Sequence, residues 1–486
     1  MVVGISPQSR KKGTCQVKTI SKKKNKVVLG EPDGRITPRA GLHLLAKLDE
    51  LLGITSAIDN DGPAFKQRKR GLMLGGVMVS LAEMMLAGGD FLIDLDFQRK
   101  DTAGLSLRAV PDVPASTTVI ALGKRFDEKA RRHVEQANAK LIKSAFALLP
   151  KKRRADLITQ RPTIDLDPTD TEVYGRNKEG SDFNYQGQRV YRPHPAVWAE
   201  SGWVVLAADF GSGRSDPRPQ APGLLARAIS ALPVGLLRPI VRADSGFFDA
   251  KLATAALELD CDYAIAVKRS DAVWRAERSI PDDGWQKAKG MDAEVAICDY
   301  TPKGWPKGSR TIVRRVKVNA ADLSSDPRSR RRRTIDPNQL TLLTSGEVTY
   351  VYAYSFIITN LAGSVVDIEE WFRMRALVEE KIKDSKLGLA MRHMPSGYEA
   401  VNVMWMWMWA ALLGLNISSW LQALTRADEK DGRAHGKRLR REHVCIPARV
   451  TKHSGRVEVH ASPEDHHGFF AKAWRTLDAL IAANSP

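Results

Sequence analysis

The chain is poor in cysteine. Its 486 residues hold four, Cys15, Cys261, Cys298 and Cys445, set far apart and in no Cys-x-x-Cys or Cys/His grouping. That spacing excludes a zinc finger or ribbon and offers no disulfide framework, so the thiols read as incidental groups of a reducing compartment. No signal peptide is expected: the first apolar stretch, MVVGI, is short and is followed by lysines. No membrane span is expected either. The most hydrophobic segment, 72–95, carries Glu83, Asp90, Asp94 and several glycines, and reads as a buried helix. The Met/Trp-rich run 401–421 reads as an apolar helix packing on a core. Acids are absent from residues 1–26, which hold eight Lys/Arg. This is the composition of a flexible basic arm, either touching phosphates or simply solvated.

What the chain has is cationic charge over a real core. Hydrophobic residues make up 43%, and the formal net charge is +19. With a pI near 9.7, the balance points to a polyanionic partner, most simply nucleic acid. A solubility device or an anionic membrane surface would use the same charge. The length exceeds one ordinary core and suggests about two to four domains.

The pattern along the chain changes twice. After a basic flexible arm at 1–35, residues 36–150 read mainly as helices. Lys124, Arg125, Lys129, Arg131 and Arg132 crowd one of these, as in a helical DNA-binding domain. PKKRR at 150–154 reads as a hinge. Strand-like runs then appear at 157–169, 203–210, 239–247 and 262–268, with helical runs at 221–232 and 248–260. Such alternation argues for an α/β fold, a mixed sheet flanked by helices, over 155–270 plus 346–425. Residues 271–345 interrupt it with a β-rich insertion. This holds Trp274, Trp285 and Trp305, the expected strands EVAICDY, TIVRRVKV and TLLTS, and a basic loop at Arg328 and Arg330–Arg333. Residues 426–486 form a small C-terminal region, suited to dimer or DNA contacts.

Three acids draw attention. Asp167 (in TIDLDPT) and Asp244 (in PIVRADSGF) end strand-like runs, where open α/β sheets place their sites. On a strand, Asp165 and Asp167 share one face, and like charges there need a cation, a partner or solvent. Mg²⁺ or Mn²⁺ would supply the cation; a plain Asp-Pro-Thr-Asp turn is the alternative. The third acid lies in 371–386, WFRMRALVEEKIKDSK. As one helix, with Phe372 at zero, Arg375 falls near −60°, Glu379 near −20° and Lys386 near −40°. One aromatic, one acid and two cations then share a face about 60° wide, with Asp367 as a possible cap. An ordinary solvated face with an Arg375–Glu379 pair is the competing account.

Phe372-x₂-Arg375-x₃-Glu379-x₆-Lys386 resembles the Tyr-Arg-Glu-Lys signature of the DDE transposases of bacterial cut-and-paste insertion sequences, with Phe372 in the tyrosine slot. IDLDPT and RADSGF resemble that family's two aspartate strands, and the insertion lies in the matching gap. The resemblance covers about residues 35–480. It implies a ribonuclease-H-like core and two-metal phosphoryl transfer, with Asp167, Asp244 and Glu379 holding two Mg²⁺ or Mn²⁺ ions. It further implies Arg375 and Lys386 on transposon-end phosphates, Phe372 near the cleaved end, and one of Trp274, Trp285 and Trp305 on a flipped base. The partners implied are double-stranded transposon-end and target DNA and a second copy in a synaptic homodimer, in the bacterial cytoplasm at the nucleoid, with no membrane. Two other readings remain: a domesticated or inactive DNA-binding protein on the same fold, and a metal-dependent glycosyltransferase using Asp165-x-Asp167. His194, in YRPHPAVW, is expected to be structural.

Overall fold

The computed structural model describes residues 27–62, 71–174, 178–184, 186–202, 204–326, 329, 331–377, 384, 386, 388–393, 395 and 401–484. The chain divides into two units, Met1–Gly34 and Arg35–Pro486. In the first, residues 27–34 carry no helix or strand, and the basic run 1–26 lies outside the described residues.

The second unit is built of helices packed on a large sheet. Its strands are β1 (Ile36–Thr37), β2 (Thr163–Leu166), β3 (Thr171–Glu172), β4 (Asp182–Phe183), β5 (Arg189–Trp198), β6 (Val204–Ser212), β7 (Ile240–Ala243), β8 (Asp262–Ala266), β9 (Gln286–Lys287), β10 (Glu294–Cys298), β11 (Arg310–Asn319), β12 (Tyr350–Thr359), β13 (Ala448–His453) and β14 (Arg456–Ala461). β13 sits between β1 and β14 in a separate small sheet. In the large sheet, β6 pairs β5 and β5 pairs β2 antiparallel, while β2, β7 and β8 run parallel. The spatial order β6-β5-β2-β7-β8 is the ribonuclease-H-like order. The helices Ala221–Ala231 and Ala250–Glu258 make the two crossovers that parallel strands require. Every residue of β2 and β7 is buried, as befits strands covered on both faces.

The helices Leu42–Leu52, Leu74–Leu86, Glu128–Leu148 and Val401–Thr425 share one apolar cluster with this sheet. Leu74–Leu86 is buried all round. Its Glu83 therefore pairs with Arg108 (2.8 Å) and accepts the Ala109 N–H (3.1 Å), since a buried charge needs partners. Met404, Met406, Trp407, Met408 and Trp409 are buried, and Asn416 on the same helix seals the sheet's free edge. It accepts the Val205 N–H (2.7 Å) and donates to the Val205 carbonyl (2.9 Å) and to Asn138 (2.8 Å). Glu135 takes the Ala208 N–H (3.0 Å) further along β6. An edge strand is thus closed by side chains rather than by another strand. Among the described residues no helix is long and apolar enough to cross a membrane.

Several local expectations change. β5 escapes a sequence reading because Pro193 and Pro195 break the usual strand pattern. Both stand where β2 gives way to the turn Asp167–Asp170, and the Thr169 N–H still finds the Pro193 carbonyl (3.0 Å). The insertion does not interrupt the sheet; β11, β10 and β9 extend it beyond β12. TLLTS is not a strand but part of the helix Pro337–Ser345, with Asp336 as N-cap, Pro337 in the first turn and Gly346 at φ +80° closing it. PKKRR is helical: Pro150 leads into the helix Lys151–Ile158. Arg328 and Arg330 lie outside the described residues.

The expected helix over 371–386 also divides. The described part is Val365–Arg373, capped by Ser364 rather than Asp367: the Ser364 hydroxyl accepts the Asp367 N–H at 3.4 Å. The Met374 and Arg375 N–H groups reach back only three residues, to Trp371 (3.2 Å) and Phe372 (3.1 Å). The backbone tightens into a turn there, so the ideal-helix angle between Phe372 and Arg375 does not hold. Glu379 lies outside the described residues; Lys386 is described and helical.

Candidate active site

Parallel pairing of β2 and β7 sets Leu166 opposite Ala243. Asp167 and Asp244 are the next residues, so the two acids leave neighbouring strands at one level, with strands about 4.8 Å apart. Asp244 also caps the short turn Ser245–Phe247, its Oδ1 accepting the Gly246 N–H at 2.9 Å. Burial pushes its carboxyl above the usual range; the Arg375 charge and the Gly246 and Phe247 amides work against that.

Arg375 joins the pair. Its Nη1 lies 2.6 Å from Asp167 Oδ1, and its side chain is only 15% exposed. Burial disfavours its charge, but the fields of Asp167 and Asp244 outweigh that and raise its pKa. Lys386 is near as well, donating to the Asp170 carbonyl at 2.6 Å. Burial lowers its pKa, and Asp170 and Asp167 partly restore it. Asp170 is held by Arg192 (2.6 and 3.1 Å) and Asn184 (2.8 Å). Its own burial would raise its pKa, but these donors bring it below the usual range.

Asp165 plays another part than its spacing suggests. It is fully buried and faces Arg242 across β2 and β7, through two bonds of 2.6 and 2.8 Å. The cation relieving Asp165 is thus a guanidinium of the next strand, and the Asp165-x-Asp167 pair does not form one metal site. Arg242 also stacks on Trp371 (4.9 Å) and donates to the Trp371 carbonyl. It thereby ties the helix Val365–Arg373 to the site strands.

The aromatic candidates are scattered. Phe372 is half-buried against the apolar cluster around Ile240 and Ile368. Trp274 is buried edge-on to Tyr354 and Phe356 (5.7 and 5.5 Å). Trp285 lies under Arg315 at 3.9 Å, and Trp305 packs on Phe248 at 5.0 Å. Both stay partly exposed. Asp170, Arg192, Asn184 and Arg242 escape the sequence reading. A signal exists only for Asp170, which ends the Asp-Pro-Thr-Asp turn.

His194 is buried on β5 beside Phe247, and burial pushes its pKa down to about 4. The unfolded chain binds this proton near pH 6.5, so between 6.5 and 4 the unfolded state takes up more protons. Stability present above pH 6.5 is then lost as pH falls, by about 3 kcal/mol for this residue. His443, also pushed down to about 4, adds a similar share. We expect urea midpoints to fall over this window, and His194→Gln to remove roughly half of the decline. An unchanged decline in that variant would show His194 to be uninvolved.

The fold is of the α/β class, a mixed sheet in ribonuclease-H-like strand order flanked by helices. The family model described as transposase DDE domain group 1 matches residues 20–326 and 341–480, and the chain belongs to that family. A cryo-EM structure of the piggyBac transposase synaptic complex with hairpin DNA is similar at a TM-score of 0.41 and 9% identity, over 91% of this chain and 82% of that one. No curated protein matches the sequence.

Proposed function

We propose that the chain is a transposase of an insertion sequence that binds the element's terminal inverted repeats and catalyses metal-dependent cleavage and strand transfer. The observation that carries this is the pair Asp167 and Asp244, level on parallel strands of a chain in the DDE transposase family. A buried and a half-buried carboxylate that already draw in a guanidinium fit a hard divalent cation, Mg²⁺ or Mn²⁺. Among the described residues no group of three His, Cys, Asp or Glu could hold an ion. Glu379 is the third ligand in this reading. When bound, two ions would activate the attacking oxygen and stabilise the leaving one.

The chain's own residues do the rest. Asp167 and Asp244 supply oxygens and hold the reaction at the strand ends. Arg375 and Lys386 offer a fork and a point charge to the phosphates that flank the cut. Phe372 packs near the cleaved end, and Trp285 or Trp305 keeps a ring face for an unstacked base. The helical segment 36–150 and the C-terminal region 426–486 would contact DNA or a second protomer in a synaptic homodimer, at the bacterial nucleoid. A glycosyltransferase reading loses its Asp-x-Asp site to the Asp165–Arg242 pair.

Incubation of the protein and Mg²⁺ with a duplex carrying the element's ends tests this reading: nicks or breaks at the ends support it, and intact DNA at saturating protein refutes it. We further expect Lys386→Ala to weaken duplex binding and to lower the slope of log K against log salt by about one, as for the loss of one phosphate contact. An unchanged slope would confine Lys386 to holding the Asp170 carbonyl.

A further inference from the structure

The place of Arg375 has a consequence for metal binding that rests on the function proposed above. We propose that Arg375 is the resident cation of the Asp167–Asp244 pair in the DNA-free protein. A DNA phosphate draws its guanidinium away, so metal and DNA binding are coupled through this one side chain.

Three observations carry the proposal. Arg375 is bonded to Asp167 at 2.6 Å and lies in the fields of Asp244 and Asp165, so part of the negative charge of the site is already offset. A divalent ion entering the same carboxylates meets a buried like charge and binds less tightly while the guanidinium stays. Second, Arg375 follows the helix Val365–Arg373 in a turn held by bonds of i to i−3. Its side chain therefore departs from the row set by the preceding helix. Third, a phosphate arriving at the strand ends meets Lys386 beside Asp170 as well, and the planar fork of Arg375 matches phosphate better than one carboxylate oxygen. By linkage, whatever factor DNA adds to metal affinity, metal adds to DNA affinity.

Titration of the full-length protein with Mn²⁺, followed by the EPR signal of the free ion, tests this with and without a terminal duplex. Wild type is expected to bind Mn²⁺ about tenfold more tightly with duplex present. Arg375→Gln is expected to bind it about tenfold more tightly than wild type without DNA, and to lose most of the duplex effect. Equal or weaker Mn²⁺ binding in DNA-free Arg375→Gln overturns the proposal. So does a wild-type affinity indifferent to duplex, a result that needs no variant to fold. Asp244→Asn separates the two levels of the argument. Were no Mn²⁺ site sensitive to Asp244→Asn to exist under either condition, the metal-dependent reading itself would fail. A sensitive site with no Arg375 effect would remove the coupling alone.

Discussion

Asp167→Asn or Asp244→Asn is expected to abolish Mg²⁺-dependent cleavage of end-bearing DNA, by on the order of a thousandfold or more, while duplex binding stays within a few fold of wild type. The amide keeps the shape of the carboxyl and weakens its hold on a cation. At Asp244 the fold should survive, because asparagine is also a good N-cap for the Gly246 N–H, and because the variant removes a charge that burial disfavours. Cleavage gels beside filter-binding or anisotropy curves read both properties. A variant that cuts near the wild-type rate would strike its residue from the site.

Breaking the pair behind the site should have the largest effect on stability. Arg242→Ala leaves Asp165 buried without its bidentate partner and removes the guanidinium from the Trp371 carbonyl and ring. Loss of one member of a fully buried pair costs about 3–5 kcal/mol, a large share of an ordinary protein's stability. Asp165→Leu with Arg242→Leu removes both charges and should recover much of that loss. Urea midpoints of the single and double variants check this. A loss under about 1 kcal/mol in Arg242→Ala would mean that water or another cation reaches Asp165.

The strand ends that carry Asp167 and Asp244 are legible because local signals there are strong. Asp167 and Asp244 each follow a short apolar run that only a buried strand satisfies. The crossover helices between those runs carry apolar residues at helical spacing. What escaped depended on contacts remote in sequence. Nothing near Asp165 announces Arg242, 77 positions away, so the sequence offers only a metal or a plain turn for its charge. β5 was missed because its two prolines oppose strand propensity, and only the neighbouring turn shows why they cost no ladder bond. TLLTS read as a strand because its short apolar run was weighed without the Asp-Pro start and glycine end that mark a helix. Arg375 was read from an ideal helix, which the turn at Met374 breaks. That turn places it on Asp167, a residue 208 positions earlier.

The central claim is that Asp167 and Asp244 together bind the ions that cut DNA. The most direct measurement is anomalous diffraction at the manganese edge from crystals of the protein with a terminal duplex and Mn²⁺. The account predicts manganese peaks within coordination distance of both carboxylates, with the Arg375 guanidinium moved from Asp167 onto a phosphate. Peaks that touch neither aspartate would contradict it, whereas Arg375 still seated on Asp167 beside a bound ion would remove the coupling alone.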